Sequence, residues 1–411
     1  MLEMVAYPIR DLTSFDALEN PPWRRTRASQ GKTVEEMIIE IAEYRRRWEQ
    51  AIKENTYNEG LIKKVKEQFL VKFIFHVNVE EEHGISTLSE TERFLKSCSS
   101  QRNIAHSLSL KEQETINLRN AYENLVNKIE REERPCDYGL LEASLLEETH
   151  RVILQNIPLP RGFTQPGKMS NKPRMTEFRG EIYYYANPED MKSAVSNLLD
   201  KYNFLFDSCT KDGLKEFDDL YNLFKTCAWM LMELLDLHPF SDGNGRLCRI
   251  LCSYSLSKLN PFATPIYNVW TDSSKGDYIE ALVEARKSLG RHPRALTTMI
   301  IECSYYGWEK FFRSLDEEIA MRTCAEKNAE INSAENYVSP TTSKGLQSPP
   351  SCLANIEKFC CNGFKPSYGL FLKQDSFTSV CRGCYYFLLC FVSYFFLLNC
   401  FIVFDLTKTS N

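Results

Sequence analysis

Apolar residues recur at helical spacing as far as residue 315. Over residues 33–55, Met37, Ile38, Ile41, Tyr44, Trp48 and Ile52 share one face, which predicts an amphipathic helix. Leu61, Val65, Phe69, Leu70 and Phe73 predict a second helix over 59–77. The acidic run Glu80, Glu81, Glu82 interrupts it, and STLSETERFL restarts a helix with Thr87 and Ser89 as candidate N-caps. The same spacing predicts helices over 109–131, 139–154, 189–206, 213–237, 245–259, 276–289 and 294–315. The period is lost in PLPRGFTQPGKMSNKPR, where four prolines and two glycines predict a loop. In the following EFRGEIYYYANPED, a glycine beside Ile182, Tyr183, Tyr184 and Tyr185 predicts a short β-hairpin. The expected fold class is all-α, a helical bundle carrying one small hairpin.

The ends of the chain break this pattern. Residues 1–32 read as a flexible arm, 33–135 as an N-terminal helical region and 136–315 as the catalytic unit. Residues 316–380 read as linker or disorder, because the stretch is polar and rich in Ser and Pro. Residues 381–411 form a hydrophobic tail, within which Cys384–Phe404 holds no charge over 21 positions, enough to span a bilayer as a helix. Nine of those 21 residues are aromatic, unlike a usual Leu/Ile span, so the tail reads either as a membrane anchor or as an atypical exon.

Composition narrows the function classes. A net charge of −5 makes nucleic acid an unfavoured partner. The first thirty residues have no apolar core of a secretion signal, so a cytoplasmic location is expected, with or without attachment of the tail to a membrane. Eight cysteines are scattered singly before residue 352 and seven crowd the end, which reads as reduced, small apolar residues rather than a disulfide framework. Cys381-x-x-Cys384 lacks the second pair that a structural zinc site needs.

The candidate chemistry lies in HPFSDGNGR at 238–246, between two apolar helical runs. Pro239 ends the first helix and fixes His238 at its end. Gly243 and Gly245 allow a tight turn and close approach of a ligand to the backbone. That turn opens a helix, whose unpaired N–H groups suit phosphate, and Arg246 and Arg249 add two positive charges on its first turn. Asp242 supplies a hard oxygen suited to Mg²⁺. Each piece alone has an ordinary reading as a turn, a cap or a solvated face. Two arginines at the positive end of a helix, however, call for an anion.

HPFSDGNGRLCR matches, at every fixed position, the H-x-F-x-[DE]-G-N-G-R-x-x-R motif, and in this it resembles the Fic (filamentation induced by cAMP) family. The resemblance implies a Fic-fold helical bundle and transfer of AMP from ATP, with Mg²⁺, to a Ser, Thr or Tyr hydroxyl of a protein. It implies His238 as general base, Asp242 on the metal, Gly243, Asn244, Gly245 and Arg246 on the phosphates, Arg249 on the terminal phosphate and Phe240 as the loop's anchor. It implies Tyr278 as a wall for the adenine, with Arg286 where relatives often carry an Asn. The hairpin with Ile182, Tyr183 and Tyr184 stands where the family has a flap that docks the target segment.

NVEEEHGISTLSET at 78–91 resembles the family's inhibitory element, [ST]-x-x-x-E-[GN]. Alignment on LSET places the inhibitory glutamate at Glu82, with Asn78 and His83 departing from the pattern and Glu80 and Glu81 as other bearers of the role. Removal of AMP is a reverse activity found in some relatives. Two other readings stand beside adenylyl transfer: a nucleotide-gated binding scaffold, and transfer of another phosphate-linked group such as phosphocholine or UMP. The oligomeric state stays open, a homodimer among the alternatives.

Overall fold

The computed structural model describes residues 9–25, 31–100, 108–131 and 140–335. Ten α-helices and one two-stranded sheet make up these residues, as an all-α fold requires. The N-terminal region contributes α1 (Val34–Lys53), α2 (Glu59–Val79), α3 (Leu88–Ser100) and α4 (Leu110–Arg131). After α5 (Ala143–Ile153) come β1 (Met175–Phe178) and β2 (Glu181–Tyr184), then α6 (Met191–Thr210), α7 (Phe217–Leu237), α8 (Asn244–Leu256), α9 (Lys275–Lys287) and α10 (Arg294–Glu335).

Local chemistry explains where these helices start. Thr33 and Glu36 form a reciprocal capping box on α1, and Ser274 and Asp277 form another on α9. The Thr87 hydroxyl accepts the N–H of Glu90 at the start of α3, so of the two cap candidates it is Thr87 that acts. The centre of the fold is α7 and α8. Every residue of α8 except Gly245 is buried, and α7 packs against α1, α6, α8 and α10. The connection between α7 and α8 is therefore held between the two most enclosed segments of the bundle.

The ends differ from the sequence reading in two places. Residues 9–25 are not a loose arm. Trp23 donates to Glu302 Oε2 at 2.8 Å, Arg24 pairs with Glu302 Oε1 at 2.5 Å, and both side chains are buried on α10. At the other end α10 runs on to Glu335, well past 315, although its later positions lack apolar periodicity. Residues 336–411, including the hydrophobic tail and Cys381-x-x-Cys384, lie outside the described residues. Among the described residues no helix is long and apolar enough to cross a membrane.

Candidate active site

The C-terminal end of α7 places the histidine. His238 caps the helix in the left-handed region, φ 48° and ψ 59°, with its N–H on the Leu234 carbonyl at 3.0 Å. Its Nδ1 lies 3.3 Å from the Leu235 carbonyl, which can only accept, so Nδ1 carries the proton and Nε2 keeps its lone pair. Burial lowers the pKa of the ring to about 4, with Arg174 and Arg286 adding to the effect and Leu235 and Asp242 opposing it. The imidazole is thus neutral at pH 7, the state a general base needs.

Phe240 is fully buried and Asn244 braces its backbone twice. The Asn244 Oδ1 accepts the Phe240 N–H at 3.0 Å, and Nδ2 donates to the Phe240 carbonyl at 2.8 Å. The side chain of Asn244 is therefore spent on shaping the loop, not on the phosphates to which the motif assigned it. Gly243 follows with φ 74°, a conformation for which glycine is suited, and opens α8 without any side-chain cap. The first-turn N–H groups of α8 are left for a ligand.

The two arginines of the first two turns of α8, Arg246 and Arg249, are both 2% exposed. Among the described residues neither terminal nitrogen of Arg246 has a hydrogen-bond partner, and Asp242 Oδ2 lies 3.7 Å from Nη2. A buried guanidinium without acceptors is costly unless an anion completes it. The Arg249 guanidinium instead donates to Glu81 Oε1 and, at 3.4 Å, to the Val77 carbonyl. Burial raises the carboxyl pKa of Glu81, but the guanidinium outweighs it and holds the group below the ordinary carboxylate value.

The glutamate paired with Arg249 is therefore Glu81 and not Glu82. Helix α2 ends at Val79, and the chain turns through Glu80 and Glu81. Glu82 is exposed, with φ 61°, and no ion pair of Glu82 occurs among the described residues. With the glutamate at 81, the motif's final Gly/Asn position falls on Glu82, which takes the left-handed conformation that Gly or Asn adopts most easily. The loop is tied on both sides. Glu114 of α4 accepts from the Gly84 N–H at 2.7 Å and meets His83 Nδ1 at 2.8 Å, while Asn268 and Lys275 hold Glu80.

A cleft of about 690 Å³ opens above the turn, lined by Glu81, His238, Gly245, Arg249 and Tyr278, with Ile182 and Tyr183 from the hairpin. Asp242, Gly243, Asn244 and Arg246 lie on the turn but not on this wall. Tyr278 is buried and stacks on Tyr267, centroids 4.6 Å apart. Arg286 also lines the cleft, its guanidinium 4.2 Å from the Tyr183 ring and its Nε 3.1 Å from Asp236 Oδ1. The hairpin turns through Arg179 and Gly180, both with positive φ, as a two-residue connection demands. Tyr184 does not line the cleft and is 67% exposed, and Ile182 is 59% exposed.

One residue has no counterpart in the motif. His150 on α5 is buried and stacks on Phe240 at 3.8 Å. Its Nδ1 accepts the Gly167 N–H at 2.8 Å, so Nε2 is the protonated nitrogen and donates to the Asp242 carbonyl at 2.9 Å. Only a neutral ring can do both, and burial lowers its pKa to about 4. A histidine on the apolar face of a predicted helix was its sole trace in the sequence.

Residues 140–256, which hold α5, the hairpin and the whole turn, match the Fic/DOC family model. These residues form a Fic domain. A Fido domain-containing protein of Dictyostelium discoideum is 27% identical over 135 residues, 32% of this chain and 84% of that protein. A ribonucleoside-diphosphate reductase small chain of Ostreid herpesvirus 1 (isolate France) is 29% identical over 154 residues, 36% of this chain. The chain spans only 24% of that protein's length. Among solved structures, a Fic domain containing signaling protein from Bacteroides thetaiotaomicron is similar at 21% identity and TM-score 0.49, over 68% of this chain and 94% of that one. Fic-1 (aa134–508) from C. elegans is similar at 15% identity and TM-score 0.49, over 69% and 73%. Fic proteins are in general enzymes that transfer nucleotide or phosphate-linked groups, typically from nucleotide substrates with a metal.

Proposed function

We propose that the chain is a protein adenylyltransferase, moving AMP from ATP to a protein hydroxyl, and that Glu81 holds it in check. The observation that carries this reading is the pair of buried arginines, three residues apart, on the first two turns of α8. Among the described residues the terminal nitrogens of Arg246 have no hydrogen-bond acceptor, and Arg249 is engaged by the Glu81 carboxylate. A polyphosphate supplies several acceptor oxygens and negative charge at the uncapped helix start, which suits both guanidiniums. The cleft volume of about 690 Å³ lies within the range of small-molecule sites.

Asp242 would hold Mg²⁺ together with phosphate oxygens, and the bound ion supplies neutralisation of phosphoryl charge. Arg246 and the free N–H groups of the turn bind the phosphates, and Tyr278 walls the cleft toward α9. The acceptor oxygen forms a bond to the α-phosphorus, the bond to pyrophosphate breaks, and the acceptor's proton passes to Nε2 of His238. A protein segment with a Ser, Thr or Tyr hydroxyl adds to the hairpin as an extra strand, with the exposed Ile182 and Tyr184 offering apolar contact. Glu81 competes for Arg249, so the terminal phosphate is not seated while the pair stands.

The test is incubation of the Glu81→Gly chain with ATP labelled at the α or the γ position. Label retained on protein from the α position alone, and lost with His238→Ala, is the expected result. Retention of γ label, or no incorporation while ATP stays bound, overturns the reading.

A further inference from the structure

The strand that leaves the hairpin ends against the base. Tyr185 follows β2 directly, with its N–H on the Arg174 carbonyl at 3.0 Å. Its ring lies flat on the His238 imidazole, centroids 3.8 Å apart and planes 12° from parallel. His238 itself sits past the regular turns of α7, and among the described residues its ring makes one hydrogen bond, the 3.3 Å contact of Nδ1 with the Leu235 carbonyl. One long bond leaves rotation of the ring poorly constrained. The stacked tyrosine supplies the missing constraint.

Tyr185 is in turn fixed from its own side. It meets Tyr183 edge-on, centroids 5.5 Å apart at 82°, and the Tyr183 hydroxyl donates to Asp236 Oδ1. Asp236 also accepts from Arg291 at 2.5 Å, and the Ala186 N–H reaches the Asp236 carbonyl at 3.3 Å. Arg174 closes the base of the hairpin, donating to the carbonyls of Ala186 at 2.7 Å and Leu237 at 3.3 Å. The hairpin is thus bound at several points to the end of α7, the segment that carries His238.

We propose that Tyr185 is a positioning residue: its ring sets the orientation of the His238 imidazole, so the element that receives the acceptor segment also aligns the base. The roles of acceptor and base rest on the adenylyltransferase reading; the contact and its effect on the imidazole do not. A segment pairing with the hairpin edge presses on the strand whose last ring covers His238. Docking and alignment of the proton acceptor are then one event.

The charged groups facing His238 are Arg174 and Arg286, which oppose its protonation, and Asp242, which favours it. Burial is the larger cause, and the Tyr185 ring supplies part of that burial. Removing the ring admits water to the imidazole, and the titration moves up toward the ordinary histidine value.

The experiment is an NMR titration of the histidine side chains of the full chain, six in all, with His238 assigned by its loss in His238→Ala. In Tyr185→Ala the His238 titration is expected to rise by about one unit or more. Tyr185→Phe keeps the ring and the wild-type titration. With the brake removed by Glu81→Gly, Tyr185→Ala lowers kcat by roughly tenfold to a hundredfold, as loss of alignment does, with little change in KM for ATP. The acidic limb of its pH profile moves up, and Tyr185→Phe restores both. Unchanged His238 titration and kcat in a folded Tyr185→Ala protein overturn the proposal. Should that variant melt early, Tyr185→Leu, which keeps bulk without a planar face, gives the same comparison. If no variant transfers AMP but the His238 titration still moves, the positioning stands and the adenylyl reading falls.

Discussion

The carboxylate of Glu81 occupies the space that a methyl group on Gly245 would need: a Cβ built there meets Glu81 Oε1 at 2.7 Å. The glycine is thus required for an anion to lie on the start of α8. In the resting protein that anion is Glu81, and in the proposed reaction it is phosphate. Gly245→Ala should therefore not mimic release of the brake, although it displaces Glu81. Combined with Glu81→Gly, it is expected to reduce transfer by roughly a hundredfold relative to Glu81→Gly alone, the usual effect of misplacing a reacting group by about 1 Å. Steady-state labelling of the two proteins decides; equal rates contradict the role given to the glycine.

Glu81 and Glu82 make opposite predictions. Glu81→Gly removes the Arg249 pair, whereas Glu82→Gly removes an exposed side chain from a left-handed backbone. Left-handed backbone costs a non-glycine residue about 1–2 kcal/mol, and glycine's extra freedom in the unfolded chain offsets about half of that. Glu82→Gly should raise stability by up to about 1 kcal/mol in denaturant unfolding and leave the brake in place. A brake released by Glu82→Gly would contradict the assignment. The folded pKa of Glu81 is depressed, so the stability it contributes is present above the ordinary carboxylate value and is lost only as pH falls through the folded value. Acidification from pH 7 to 5 should accordingly leave the wild-type protein inhibited.

His150 predicts both a stability change and its pH dependence. His150→Phe preserves a ring on Phe240 but strands the Gly167 N–H and the Asp242 carbonyl, at a cost of about 2–5 kcal/mol for two unmade bonds. His150→Gln, with one donor and one acceptor, should recover a good part of it. His150 and His238 both titrate near pH 4 in the folded protein, against an ordinary 6.5. Between those values the unfolded chain takes up protons that the folded one does not, so stability falls as pH drops from 6.5 to 4. Each ring contributes on the order of 2–3 kcal/mol to that fall. Thermal unfolding across this range should show a shallower slope for His150→Gln; an identical slope would contradict the neutral bridging role.

Helix α1 was legible because it buries one side and its apolar residues repeat accordingly, and α7 and α8 because they are apolar runs buried nearly all round. The motif placed His238, Asp242 and both arginines on one turn for the same reason: they are local. What the sequence could not convey depends on long-range geometry. In Glu80, Glu81, Glu82 the choice of carboxylate hinges on where α2 ends and on one positive φ, neither of which three like residues reveal. The bracing of Phe240 by the Asn244 side chain shows only in three dimensions. His150 gains its role from two loops distant in sequence, and α10 extends to Glu335 through residues whose helix propensity, not apolar period, carries the signal.

If Glu81 takes the terminal phosphate's place on Arg249, its removal frees the enzyme. Incorporation of α-labelled ATP by wild type, Glu81→Gly and Glu82→Gly under identical conditions measures this. Glu81→Gly should label about 5- to 150-fold faster than wild type, the usual span of such couplings, with Glu82→Gly at the wild-type rate. Equal labelling of wild type and Glu81→Gly, with both proteins folded, would contradict it.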